Sequence, residues 1–133
     1  MKHDALYMKV AQTFASQSHC DRLQVGAVIV RDGNIVSFGW NGTPTGFPND
    51  CEQGGETSPT VVHAEANAIA KAARSTVSTK GATAYLTHSP CWRCALSMVQ
   101  SGIVRVVYGQ KYRDDQPLGL LEEAGVIVEE WDE

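Results

Sequence analysis

Apolar residues recur along this chain with changing period, and each change marks a different element. Leu6, Val10 and Phe14 return every fourth position behind Asp4, a possible cap, so the spacing predicts an amphipathic helix over about 4–18. Val25-Gly-Ala-Val-Ile-Val30 and Ile35-Val-Ser-Phe38 are β-rich and flank Asp32-Gly33, a hairpin signal, so they predict an antiparallel pair. From Asn41 to Pro59 the pattern stops: Gly42, Pro44, Gly46, Pro48, Gly54 and Gly55 break any period, predicting a long loop of the kind that is usually functional or disordered.

Periodicity resumes at Val61 and runs to about Arg74 as an Ala-rich helix. Ala82 to Thr87 is a strand, Pro90 opens a helix that stops near Gly102, and Ile103 to Tyr108 is an apolar strand of the buried kind. Pro117 to Ala124 is a short helix ended by Gly125, and Val126 to Val128 begins a final strand. A helix between two strands favours a parallel crossover, so the last two strands should be parallel. The order predicts an α/β fold: a mixed five-stranded sheet flanked by helices, in a single domain over 1–133.

Composition narrows the function. No apolar run approaches the roughly 20 residues that cross a bilayer, and the N-terminus lacks an apolar signal core, so a soluble, cytoplasmic protein is expected, in the host cytoplasm if viral. In that setting the four cysteines read as thiols or metal ligands before disulfides. A formal charge of −4, with eleven Lys and Arg in no basic run, argues against polymeric nucleic acid, although a phosphate pocket needs only two or three cations.

The chemistry concentrates at two helix starts. Val62-His63-Ala64-Glu65 opens one helix and Pro90-Cys91-Trp92-Arg93-Cys94 another. Cys91 and Cys94, three apart, share a helix face and can grip one ion, and His63 from the other helix makes a third ligand. Three protein ligands leave the fourth position of Zn²⁺ to water, whose pKa zinc lowers to about 7. Glu65, two residues beyond His63, is placed to move protons between that water and a substrate. H-x-E with P-C-x-x-C is the known mark of zinc nucleobase deaminases. A closed zinc site using Cys20 or Cys51 as fourth ligand would leave Glu65 unexplained. Neither Cys20, Cys51, His3, His19 nor His88 has a partner evident from sequence, and Trp40 and Trp92 are equally suited to packing or interface.

With those residues in view, the chain resembles deoxycytidylate (dCMP) deaminases from Ser18 to the final strand. The resemblance is carried by Cys20-Asp-Arg22, Val25 to Val30, Gly39-Trp-Asn-Gly-Thr-Pro-Thr-Gly46, Val62 to Ile69 and Thr87-His-Ser-Pro-Cys91. Free cytidine deaminases typically have Cys at the place of His63, and tRNA adenosine deaminases have Glu-Pro-Cys where this chain has Ser89-Pro90-Cys91. The resemblance implies a three-layer cytidine-deaminase-like fold and hydrolysis of dCMP to dUMP and ammonia, which feeds thymidylate synthesis. It further implies substrate contacts from Arg22, Asn41, Ala64, Ser89, Tyr112 and Arg113, with Asn41 on the sugar, Ala64 and Ser89 at the base edge, and the others at ring and phosphate. It also implies an effector loop at Gly42, Thr43, Pro44 and Gly46, activated by dCTP and inhibited by dTTP with Mg²⁺ on the triphosphate, in a homohexamer. Broader use of cytidine or dCTP, and a catalytically silent nucleotide sensor, are the alternatives.

Overall fold

The computed structural model describes residues 1–112 and 114–132. The elements run α1 (Asp4–Ala15), β1 (Gly26–Arg31), β2 (Asn34–Trp40), β3 (Glu52–Gln53), β4 (Glu56–Thr57), α2 (Ala64–Ala73), β5 (Thr83–His88), α3 (Trp92–Gln100), β6 (Arg105–Gln110), α4 (Gln116–Glu123) and β7 (Ile127–Glu130). The main sheet has the order β2-β1-β5-β6-β7. β1 is antiparallel to β2 and β5, whereas β5, β6 and β7 are mutually parallel neighbours, as the helical crossovers require.

Alternation along the strands builds two cores. Ala27, Ile29, Ala84, Leu86 and Val106 face α2, α3 and α4, where Ala64, Ala68, Ala95, Met98 and Leu121 are buried. Val28, Val30, Tyr85 and Val107 face α1 and meet Met8 and Ala11. The sheet is therefore the middle of three layers. Among the described residues no helix is long and apolar enough to cross a membrane.

Asp32 and Gly33 both adopt positive φ (52° and 76°), which a two-residue turn of the primed type needs and which Asp and Gly tolerate. Two glycines sit under helices instead. A Cβ on Gly26 would run into the Ala11 carbonyl of α1, and one on Gly39 would lie 2.5 Å from the Ala64 carbonyl of α2. Helix and strand backbones can approach this closely only because those side chains are missing.

Several expectations need correction. Asp4 is not a cap: His3 takes that place with φ 73°, and Asp4 is a buried first-turn residue. The buried stripe of α1 is Asp4, Met8, Ala11 and Ala15, while Leu6 is exposed. Val10 and Phe14 are partly buried against that core, so the spacing is right for them and misses only Leu6 and the polar residue that heads the stripe. The 41–59 stretch is not wholly irregular, since β3 and β4 pair across Gly54 and Gly55, both at positive φ. Cys20 and Cys51, expected as thiols, form a disulfide. Trp40 belongs to a stack with Phe14 and Phe38, with Lys71 over the Phe38 and Trp40 rings, whereas Trp92 is exposed.

The reason Asp4 is buried lies at the start of β6. Arg105 Nη2 donates to Asp4 Oδ2 at 2.6 Å and Nη1 donates to Oδ1 at 3.0 Å, forming a two-pronged pair. Tyr85 Oη donates to Asp4 Oδ1 at 2.6 Å, and Arg105 Nε donates to Glu129 at 2.6 Å. This network ties α1 to the middle and edge of the sheet. Arg105 above all holds the Asp4 carboxyl far below its ordinary value of 3.8, and Asp4 raises Arg105 in turn.

Because the folded-state pKa of Asp4 is depressed, its contribution is complete above the unfolded value and drains away as pH falls through the folded one. Asp4→Ala should cost about 1.5–3 kcal/mol at pH 7 by removing the two-pronged partner of Arg105, which keeps Glu129, and Asp4→Ala with Arg105→Met should cost less. Urea unfolding of the three proteins from pH 7 to pH 2 checks this, with the wild type's advantage over the double variant shrinking as pH falls below 3.8.

Candidate active site

The two chemically loaded helix starts meet at the same end of the sheet. His63 precedes α2 as its N-cap in extended conformation (φ −68°, ψ 155°), and Cys91 caps α3 (φ −77°, ψ 171°). The Cys91 sulfur accepts the Cys94 N–H at 3.4 Å, so the first cysteine is fixed by the turn that carries the second. Both sulfurs lie 3.4 Å from His63 Nδ1. The loop before His63 is clasped by Gly42 N–H to the Val62 carbonyl (3.1 Å) and Val62 N–H to the Gly42 carbonyl (2.8 Å). That clasp sets Asn41 beside the histidine.

Zn–S and Zn–N bonds of about 2.3 and 2.0–2.1 Å in a tetrahedron put sulfur and nitrogen about 3.5 Å apart. His63, Cys91 and Cys94 match that edge length, so the donor set fits zinc. Electrostatics agrees. Hydrogen bonds from Cys94 and then His63 pull the Cys91 thiol down to about 3, while its hydrogen bond to Cys91 and burial push Cys94 up. Each sulfur, once ionised, opposes the ionisation of the other, and a divalent ion would let both ionise. Cys20 and Cys51 are bonded to each other, so the closed four-ligand arrangement has no free thiol to draw on.

Glu65 is buried in the first turn of α2 and lines the cavity with His63, Ala64 and Cys91. Burial raises its carboxyl to about 7 against the opposing pull of its own backbone N–H and His63, so it can hold or release a proton near neutrality. The cavity encloses about 190 Å³ and is also lined by Arg22, Asn41, Ser89 and Tyr112. Five of the six substrate residues expected from sequence are thereby brought together, and the sixth, Arg113, lies outside the described residues.

How these residues are placed refines their roles. The Asn41 amide is engaged locally: Nδ2 donates to the Leu23 carbonyl at 2.7 Å and Oδ1 accepts the Val25 N–H at 2.8 Å. It shapes the wall, leaving one lone pair and one N–H for any sugar contact. Ser89 accepts the Tyr112 N–H at 2.7 Å and donates to the Tyr112 carbonyl at 3.1 Å, so its hydroxyl holds a loop. Arg22 reaches Thr57 at 3.5 Å, and Glu52 accepts the Asp21 N–H at 3.1 Å, joining the β3–β4 hairpin to the cavity rim. Glu52, Thr57 and His88 line the cavity too. Nothing in their spacing marked Glu52 and Thr57, because a two-residue strand pair leaves no period to read.

Gly42, Thr43, Pro44 and Gly46 line a separate hollow of about 220 Å³ with His19 and Phe47. Thr43 Oγ1 there is the one buried side-chain polar atom without a hydrogen-bond partner among the described residues.

Comparison with known proteins defines the class. Residues 1–110 match the family described as the cytidine and deoxycytidylate deaminase zinc-binding region, and the chain belongs to that family. Within it, the chain is similar to deoxycytidylate deaminases. It is 37% identical over 139 residues to that of Saccharomyces cerevisiae, spanning 96% of this chain and 44% of the yeast protein. It is 32% identical to that of Enterobacteria phage T4, spanning 91% of this chain and 86% of the phage one. The crystal structure of dCMP deaminase from the cyanophage S-TIM5 in complex with dCMP and dUMP superposes with a TM-score of 0.93 at 43% identity, covering 96% of this chain and 95% of that one.

One zinc per chain is the expected result of metal analysis. Cys94→Ala should weaken zinc binding by more than the roughly 10–100-fold typical of losing a supporting hydrogen bond, and should lower the melting temperature as chelation does in the wild type. Full zinc content in Cys94→Ala would remove this residue from the metal site.

Proposed function

We propose that this chain hydrolyses dCMP to dUMP and ammonia. The observation that carries the reading is a buried carboxyl, Glu65, facing the same cavity as a His/Cys/Cys cluster of zinc dimensions. The likeness to the cyanophage enzyme with dCMP and dUMP supports the choice of nucleotide.

When bound at His63, Cys91 and Cys94, zinc supplies the Lewis acidity that makes water a nucleophile near neutral pH. Glu65 takes one proton from the attacking water and delivers it to the ring nitrogen, then takes the second from the added hydroxyl and passes it to the departing amine. dCMP and water thus become dUMP and ammonia. Ala64 and Ser89 meet the base edge, the Tyr112 ring flanks the nucleotide, and Arg22 with Arg113 neutralises its phosphate, a task suited to guanidinium forks. Asn41 holds the Leu23–Val25 wall against the sugar.

The Gly42 to Gly46 loop is the place for regulation: dCTP with Mg²⁺ activates there and dTTP inhibits. The separate hollow and the unsatisfied Thr43 hydroxyl support this role. Trp92 and Leu96, exposed one turn apart on α3, support a contact between copies in a homohexamer of single-domain chains.

Ammonia release from dCMP by the zinc protein tests the reading, alongside cytidine, CMP and dCTP. Turnover should favour dCMP, rise with dCTP plus Mg²⁺ and fall with dTTP. Preference for the unphosphorylated nucleoside would overturn the phosphate assignments, and indifference to both effectors would leave the loop structural. Glu65→Ala should keep its zinc and lose at least about 10²–10⁴-fold in kcat; undiminished turnover in that variant would refute the proton route.

A further inference from the structure

His88, the last residue of β5, lines the cavity but takes no part in the metal chemistry. Half-buried, it is, among the described residues, the one common to the linings of the active-site cavity and a hollow on the α1 side of the sheet that includes Gln12, Gln24 and Trp131. Its Nδ1 lies 2.8 Å from Thr87 Oγ1, and that hydroxyl accepts the Gly26 N–H at 3.0 Å. With the Gly26 N–H on one lone pair, the Thr87 hydroxyl keeps a second lone pair and its own proton, so it can anchor Nδ1 in either tautomer of the ring. Burial holds the ring's pKa below its ordinary 6.5, consistent with a neutral imidazole.

The ring so anchored stands edge-on to Tyr112, with centroids 6.3 Å apart and planes at 81°. Edge-to-face pairs at this separation attract. One residue further on, Ser89 holds the Tyr112 backbone through both its N–H and its carbonyl. Consecutive residues of one strand end therefore grip the same tyrosine, Ser89 by the main chain and His88 by the ring. The register of β5 with β6, where His88 pairs with Gln110, brings the two segments side by side.

We propose that His88 is a positioning residue for Tyr112: anchored by Thr87, its imidazole fixes the angle at which the tyrosine ring walls the pyrimidine deoxynucleotide site. This rests on the deaminase reading above and adds a residue to it. His88 acts through Tyr112, so its effect is on substrate binding and not on the chemical step.

Steady-state kinetics on dCMP with His88→Ala, His88→Asn, His88→Phe, Tyr112→Ala and the His88→Ala/Tyr112→Ala double variant tests it, together with NMR of the Tyr112 ring protons without substrate. His88→Ala and His88→Asn should raise KM about three- to tenfold, the range of an edge-to-face pair, with kcat within about twofold. His88→Phe, which restores an aromatic edge, should recover most of that loss. In the Tyr112→Ala background His88→Ala should add nothing. The Tyr112 ring signals should shift in His88→Ala and return toward the wild-type pattern in His88→Phe. Unchanged ring signals or KM in His88→Ala, no recovery with Phe, or an undiminished effect without Tyr112 would each overturn the proposal. A wild type that releases no ammonia from dCMP would overturn the deaminase reading instead, and the NMR would still decide the His88–Tyr112 coupling.

Discussion

The candidate site hangs on how closely α2 lies against β2. Gly39 offers only a hydrogen toward the Ala64 carbonyl, and any side chain there would lift the first turn of α2 off the sheet. That turn carries His63 as its cap and Glu65 just inside it. Asn67, on the same helix, donates to the Trp40 carbonyl at 2.8 Å, and Ser37 donates to the Ala68 carbonyl at 2.5 Å. The short path from β5 through Pro90 into α3 brings Cys91 and Cys94 to the same end of the sheet. The 3.4 Å separations between sulfur and nitrogen are the end of a chain of packing that begins with a missing methyl group.

Two buried polar groups show opposite treatments of charge. At the start of β6, Asp4 and Arg105 satisfy each other through two prongs, with Tyr85 and Glu129 completing the set, and the result is rigid. At the cavity, an ionised Cys91 opposes the ionisation of Cys94 and burial raises the Glu65 carboxyl to about 7. Fully matched charge is structural; mismatched charge awaits a cation and a proton.

Much of this was legible in the residues. The hairpin at Asp32-Gly33, the parallel end of the sheet and the His63, Cys91 and Cys94 set all follow from local rules of period, turn and ligand spacing. What stayed hidden depends on partners distant in sequence. Asp4 reads as a cap until Arg105, 101 residues later, turns it inward. The pairing of Cys20 with Cys51 contradicts an expectation drawn from compartment, since cysteine chemistry was inferred from location and not from proximity. Asn41 reads as a substrate ligand, yet half of its amide is spent on Leu23 and Val25. His88 seems idle until the strand register sets Tyr112 beside it.

The division between helix starts and loops has a consequence for how such a protein can diversify. The groups that fit the metal sit at the caps and first turns of α2 and α3, two helices seated on the core of the sheet. Much of the remaining cavity wall comes from the segment around Arg22, the small β3–β4 hairpin and Tyr112, none of which supplies a ligand. Inheritance can therefore conserve the reactive centre as one module and revise the choice of nucleotide as another, one loop at a time.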